Sequence, residues 1–416
     1  MKNFNWKAIG PGLIWAGAAI GVSHIVQSTR AGADFGFQLV IVVLLANLFK
    51  YPFFQYGPRY AIATGESLIE GYHRMGKWVV VLFLILTIGT MFAILAAVTS
   101  VTVGIITSVI PTSLTYVNVT ILLLLLCAVI ILLGQYKTLD RVMKFIVLIL
   151  TLSTLVAFFV ALAKSETSVI ANQQPFEWNV SNVAFVIALV GWMPSAIDIS
   201  VWNSLWTLAK IETTGYRPKL KEVLLDFNIG YIGTIVLALA FLGLGALVMF
   251  NTGQEFANGG TQFANQFFQL FTSSIGSWAL VIIAIAAIAT MFSTTLTVLD
   301  AYPRVLNPVA GILIPKSGQP KTQKKLSYLW MLILIIGAVT IISKLSEQMK
   351  LLVDIATTLS FITAPVLGYL NMKAITAKQV PVEYRPSRRM LWLSWIGLVV
   401  LTGFALYYLL MKLGVV

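Results

Sequence analysis

The sequence predicts an all-α integral membrane protein with eleven transmembrane helices, and three observations lead there. Apolar residues make up 58% of the 416-residue chain and charged residues 10%, far outside the balance of a soluble domain. Apolar runs recur along the whole length at the roughly 20-residue scale that crosses a bilayer. Two of them, the first and the sixth, are interrupted midway by residues that spoil a continuous helix. Five spans separate the two interruptions. Because that number is odd, the second set of five runs through the membrane upside down relative to the first, a 5+5 inverted repeat plus one extra helix. No stretch between spans is long enough for a second folded domain.

In order, the spans fall at about 9–29, 37–63, 78–109, 116–134, 143–163, 183–208, 226–250, 275–300, 327–343, 350–373 and 391–411. The first carries Gly10, Gly12, Gly17, Gly21 and the pair Ser23-His24; each Gly weakens a helix by roughly 1 kcal/mol relative to Ala. The sixth carries Gly191-Trp192-Met193-Pro194-Ser195, where Pro194 removes a backbone donor and clashes with the turn before it. In lipid, backbone groups freed this way are tolerated only under protein or beside a water-filled cavity. Two such points in corresponding halves mark the central site of a transporter; the plainer alternative is a pair of kinked structural helices. The chain then divides into a first repeat at 1–164, a second with its outer loops at 165–373, and an appended helix at 374–416.

Charge sets the orientation. Lys and Arg cluster in alternate loops: Arg59, Arg74 and Lys77; Lys137, Arg141 and Lys144; Lys210, Arg217, Lys219 and Lys221; Arg304, Lys316, Lys321, Lys324 and Lys325; Lys373, Lys378, Arg385, Arg388 and Arg389. The opposite loops keep Lys164, Lys344, Lys350 and Lys412, with Arg30 close by. The positive-inside rule places the amino end in the cytoplasm and the carboxyl end outside, in what reads as a bacterial inner membrane. Most of the net charge of +13 is therefore topology and contact with anionic lipid. Lys2 and Lys7 precede a helix too long for a signal peptide and lacking a small-residue cleavage site. Cys127 is the only cysteine, so neither an intrachain disulfide nor a thiolate metal cluster can form. Residues 165–182 read as a polar outer loop with Gln173, Gln174, Glu177 and Trp178. Residues 251–274 have Gly253, Gly259 and Gly260 ahead of Phe263, Phe267 and Phe268, and are expected to carry a short interfacial helix. Residues 314–325, basic and rich in Gly and Pro, read as a flexible inner linker.

Several motifs carry a family resemblance. They are Gly10-Pro11, Ala31-Gly32-Ala33-x-Phe35-Gly36, Ala63-Thr64-Gly65-Glu66-Ser67-Leu68, Gly134-x-Tyr136-x-x-Leu139-Asp140, Met193-Pro194 and Ser293-Thr294-Thr295-x-Thr297. In their order and spacing, from the first to about the tenth span, they resemble the Nramp divalent-metal transporters. The resemblance implies a LeuT-like fold with helices 1 and 6 broken at mid-membrane, alternating access, and a site between those helices. The departures fall on that site. Where the family carries Asp-Pro-Gly-Asn, this chain has Gly21, Val22, Ser23 and His24, so Gly21 replaces the metal-binding carboxylate and His24 the Asn. Met-Pro-His becomes Met193-Pro194-Ser195. The acidic pair that the family associates with proton transfer falls on Ile94 and Ala97, and its tenth-span Gln on Ala356.

A dehydrated divalent cation in a low-dielectric site needs compensating negative charge. The candidate substrate-binding residues Gly21, Ser23, His24, Met193 and Ser195 supply none. One His and one thioether suit a soft metal weakly, whereas Mg2+ or Ca2+ wants carboxylate oxygens. The amino ends of two half-helices favour anions instead, and Ser23, Ser195 and His24 add donors for a planar oxyanion. The expected function is secondary transport of a small inorganic anion such as bicarbonate. The alternatives are a divalent-metal transporter (Mn2+, Mg2+ or Fe2+), as the resemblance implies, and a channel on the same broken helices. Asp198 is the counterweight, an intramembrane carboxylate and so functional by default. With Ser293, Thr294 and Thr297 it is expected to hold a coupling Na+ or H+; otherwise it completes a metal site with His24, or is a buried carboxylate held by hydroxyls or Lys50. No resident metal site and no other cofactor is expected.

Arg30 and Asp34, one helical turn apart, are expected to pair locally; the sharper alternative puts Gln27 and Arg30 in an outer vestibule that draws anions inward. Asp300 and Arg304 make a second local pair, His73 is solvated, and Trp202 and Asn203 face the pathway or pack within it. No phosphate loop, metalloprotease helix or nucleophile elbow occurs, so an enzyme using His24 and Asp198 has little behind it. Basic residues at span ends without interleaved aromatics form no nucleic-acid groove. The expected partners are the bilayer and a small-ion substrate, with no obligatory protein partner.

Overall fold

The structure, a computed structural model, describes residues 10–134, 136–165, 176–250, 252–314 and 318–415. Lys2, Lys7, Gln173, Gln174 and Lys316 lie outside them, as do the side chains of Tyr136, Lys137, Leu139, Asp140, Arg141 and Lys144. The described residues form helices and no strand. Span one is α1 (Pro11–Ala19), a π-helical turn (Ser23–Ser28) and α2 (Thr29–Phe35). There follow α3 (Val40–Thr64), α4 (Leu68–Met75), α5 (Lys77–Val109), α6 (Tyr116–Leu132) and α7 (Tyr136–Lys164). Span six is α8 (Val180–Gly191) and α9 (Ile199–Thr214). The rest are α10 (Leu220–Val248), α11 (Gly260–Ile275), α12 (Ala279–Leu313), α13 (Pro320–Lys344), α14 (Met349–Thr376) and α15 (Arg388–Lys412). Among the described residues seven helices, α3, α5, α10, α12, α13, α14 and α15, are long and apolar enough to cross a membrane unaided. Large apolar side chains such as Ile85, Phe159, Val281 and Val399 are exposed, as a lipid-facing perimeter requires.

The first and sixth spans are each two half-helices, and tertiary partners hold their ends. Pro11 opens α1, where no backbone donor is needed. The remaining donors find Asp226 of α10: the Gly10 and Gly12 N–H groups donate to Oδ1 at 3.1 Å and Oδ2 at 2.6 Å. Around the two broken spans, α1 and α2 lie against α10, α8 against α14, α9 against α3, and α5 against α12 and α14. Glycines permit the closest approaches. A Cβ on Gly57 would collide with the Ser200 carbonyl, and one on Gly191 with the Thr357 carbonyl, so helix backbones touch where small residues allow it.

Several boundaries differ from expectation. Span one runs on to Phe35 instead of ending at Thr29, because Arg30 and Asp34 find polar surroundings at the outer face. The α12 helix continues to Leu313 through Pro303 and Pro308. Residues Lys321, Lys324 and Lys325 are not linker but the first turns of α13, which Pro320 opens. The short helix expected within residues 251–274 is α11, whose Phe263, Phe267 and Phe271 recur on one buried face. An unexpected element is α4, started by a capping box: the Ser67 N–H donates to Glu70 Oε2 at 2.8 Å and the Ile69 N–H to Ser67 Oγ at 3.2 Å. Its Ser-x-x-Glu signature stands in the sequence. As expected, Arg304 pairs with Asp300 at 2.6 Å and His73 is exposed.

Candidate substrate site at the two helix breaks

Span one opens at Ile20 and Gly21. The Ile20 carbonyl accepts from the Thr294 hydroxyl of α12 at 3.3 Å, and a Cβ on Gly21 would stand 3.0 Å from that hydroxyl. The outer half restarts as a π-helical turn stitched by two hydroxyls, Ser28 donating to the Ser23 carbonyl at 3.1 Å and Thr29 to the His24 carbonyl at 3.3 Å. Span six opens from Trp192 to Asp198, with Met193–Pro194 a cis peptide. The Trp192 indole donates to Ser360 Oγ of α14 at 2.8 Å and anchors the break from outside.

Between the breaks lies a cavity of about 40 Å³. That is room for a few waters or one small ion, since one water needs roughly 10–15 Å³. Its polar lining is Ser23, Ser195, Asp198 and Thr294, and its apolar walls include Ile94, Trp192 and Trp202. Two half-helices start at its edge: Val22 and Ser23 open the outer half of span one, and Asp198 and Ile199 open α9. Amino ends of helices carry orphan N–H donors and partial positive charge. Among the described residues Asp198 is the one carboxylate lining the cavity, and the Tyr302 hydroxyl donates to its Oδ2 at 3.4 Å. Behind the break, the buried Lys50 ammonium of α3 donates to the carbonyls of Val190, Gly191 and Ser195.

The expected site residues part company here. Ser23, Ser195, Asp198 and Thr294 meet at the cavity; His24, Met193, Ser293 and Thr297 do not line it. Gly21 borders it only through its contact with Thr294. His24 is fully buried and turned to α10. Its Nε2 lies 3.0 Å from the Thr234 carbonyl, which can only accept, so Nε2 carries the proton. Its Nδ1 is 2.7 Å from Ser23 Oγ, whose single proton is shared between that nitrogen and the Ala19 carbonyl at 2.8 Å. The π-helical turn rotates His24 away from the cavity, so it braces the break. Of the two structural partners considered for Asp198, a hydroxyl (Tyr302) holds it while Lys50 sits on backbone carbonyls, and Asn203 lines a separate small cavity with Asp226 and Lys210.

The vestibule residues also take other partners. Arg30 lines an open cavity of about 700 Å³ with Asp34, Glu177, Glu255 and Lys350. It does not pair with Asp34. Its guanidinium makes a two-pronged bond to Asp354 of α14, at 2.7 and 3.2 Å, and stacks 4.9 Å from the Phe185 ring. Gln27 joins the same carboxylate at 3.1 Å and accepts from Arg30 at 3.0 Å. A facing carboxylate that matches the guanidinium fork wins over a neighbour one turn away. Asp354 and the role of Lys50 were missed, although both are charged residues within apolar runs, the usual mark of a working position.

The geometry separates two roles by mutation. Ser195→Ala is expected to lower substrate uptake several-fold and leave the unfolding midpoint unchanged. His24→Ala is expected to lower stability by about 2–4 kcal/mol, from two buried hydrogen bonds and a void. Thermal unfolding and initial uptake rates on both variants check this; a stable His24→Ala with uptake abolished would return His24 to the cavity.

Two helices broken opposite one another around a polar cavity, within a perimeter of apolar helices, define a multi-pass membrane transporter of LeuT-like fold. The family model described as natural resistance-associated macrophage protein-like matches residues 12–411, and the chain belongs to this Nramp family. An uncharacterized protein of Pasteurella multocida (strain Pm70) is 37% identical over 415 residues, covering 98% of this chain and 93% of its own. Among solved structures, a mutant of the Eremococcus coleocola manganese transporter superposes with a TM-score of 0.65 at 15% identity, over 96% of this chain and 85% of the other. A nucleobase-cation-symport-1 family transporter gives 0.63 at 11% identity, over 97% and 91%. A Na+-coupled sialic acid symporter gives 0.60 at 15% identity, over 97% and 89%.

Proposed function

We propose that this Nramp-family protein is a secondary carrier that takes up a small anion such as bicarbonate by alternating access, together with a Na+ or H+ at Asp198. The observation that carries the reading is the lining of the central cavity: the amino ends of two half-helices and a single carboxylate. Among the described residues no group of three or more His, Cys, Asp or Glu side chains could hold a metal ion. A divalent cation would therefore face one negative charge, two positive helix ends and the nearby Lys50 ammonium. Its lost hydration would not be recovered. An anion meets the helix ends and the Ser195 hydroxyl, and Asp198 serves the accompanying cation. The second reading, transport of a divalent metal, is favoured by family membership itself.

Within this reading residues 1–164 and 165–373 are the two inverted repeats, and eleven crossings result from joining α1 to α2 and α8 to α9. The amino end is cytoplasmic and the carboxyl end outside, in a bacterial inner membrane. The protein works with no resident cofactor and no obligatory protein partner.

The test is uptake into proteoliposomes of purified protein, comparing labelled bicarbonate with Mn2+, each with and without Na+ and pH gradients. Bicarbonate accumulation driven by one of the gradients, without Mn2+ flux, is the expected result. Saturable Mn2+ uptake without bicarbonate movement would overturn the anion reading and establish the metal one. Flux that only dissipates gradients would make the protein a channel.

A further inference from the structure

The break in span six already contains a cation. Where α8 ends at Gly191, its last carbonyls have no partner within the helix, as at every helix carboxyl end. Lys50 reaches across from α3 and places its ammonium on them, 3.0 Å from the Val190 oxygen, 3.0 Å from the Gly191 oxygen and 2.6 Å from the Ser195 oxygen. An ammonium has three N–H donors, and all three are used. The side chain is fully buried, and its Nζ is 5.6 Å from the centre of the Phe54 ring. The carboxyl end of α8 adds the negative end of a helix dipole.

In transporters built on broken helices, unwound carbonyls and half-helix carboxyl ends are the groups that coordinate a coupling metal cation. Here a side chain occupies such a cage. We propose that Lys50 is a tethered cation standing in for an inorganic one at the break of span six, and that removing its charge opens a binding site for Na+, K+ or a small alkylammonium ion. The carbonyl cage sits on the unwound segment, so the ammonium also holds Ser195 and Asp198 at the cavity; Lys50 is a positioning residue. The inference rests on the transporter reading for its importance, but its test reads stability and so stands apart from the identity of the substrate.

The experiment follows thermal unfolding of purified full-length protein in chloride salts of choline, Na+, K+ and methylammonium at equal ionic strength. Wild type is expected to unfold at the same temperature in choline, K+ and methylammonium; any rise in Na+, which a coupling Na+ at Asp198 would give, is the baseline subtracted from the variants. Lys50→Met, which strips the ammonium from the three carbonyls and leaves that of Val190 with the Met193 N–H at 3.2 Å, is expected to unfold about 5 °C or more lower in choline, which is too large for the cage. It is expected to recover at least half of that in one of the small cations, as a newly bound ligand requires. Equal midpoints for Lys50→Met in all four salts would overturn the inference. Lys50→Gln keeps a donor and loses the charge; wild-type stability of this variant in choline would show that no cation is needed, and would overturn it too. If Lys50→Met is aggregated when purified in choline, monodisperse protein from Na+, K+ or methylammonium supports the cage. Aggregation in every salt overturns it.

Discussion

Gly32→Ala is expected to destabilise the protein more than any other single methyl addition in the outer half of span one. A Cβ there collides with the Leu242 carbonyl and crowds the Ala246 N atom of α10. The same crossing has Gly245 of α10 against the Thr29 carbonyl and Ala33. Two helix backbones therefore meet with no side chain between them, and backbone atoms cannot move aside as a flexible side chain would. Separating α2 from α10 would disturb the packing of the buried Val26 and Ala31 and shift Arg30 from Asp354. Overpacking typically costs about 1–3 kcal/mol and sometimes more, and this site has no room to relax, so about 3 kcal/mol or more is expected. Gly89→Ala on α5, where an added Cβ meets nothing, is the control; there Ala is expected to raise stability by up to about 1 kcal/mol through helix propensity. Unfolding midpoints and size-exclusion profiles of the two variants decide it. Equal behaviour would mean that the crossing is looser than its geometry.

Asp198→Asn is expected to reduce gradient-driven uptake by about 100-fold while exchange of substrate at equilibrium persists. Asp198 is the carboxylate of the central cavity, held by the Tyr302 hydroxyl and opposite in charge to Lys50. Its loss removes the ligand for the accompanying cation. A 100-fold loss corresponds to roughly 2.7 kcal/mol. Initial rates under a Na+ or pH gradient, set against counterflow without a gradient, separate coupling from binding. Undiminished accumulation in Asp198→Asn would show that the driving cation binds elsewhere.

What could be read from the sequence was set by local physics. Apolar length specified most of the spans, Gly21 and Pro194 the two breaks, and the glycines ahead of Phe263, Phe267 and Phe268 the short helix between spans, because each depends only on neighbours along the chain. The ordered motifs carried the family for the same reason. Side-chain direction was not local. His24 stands at the break in sequence, but a π-helical turn rotates it onto Thr234, 210 residues away. Arg30 has Asp34 one turn off and yet takes Asp354, 324 residues away, because α14 presents a carboxylate that fits its fork. Lys50 read as one possible partner of Asp198; only the packing of α3 on span six brings it to the carbonyls of Val190, Gly191 and Ser195. The sequence by itself determined that the chain is a series of apolar helices and where two of them fail. Which side chains face the cavity was decided by how the helices rotate against one another, and that rotation is set by contacts between residues far apart in the chain.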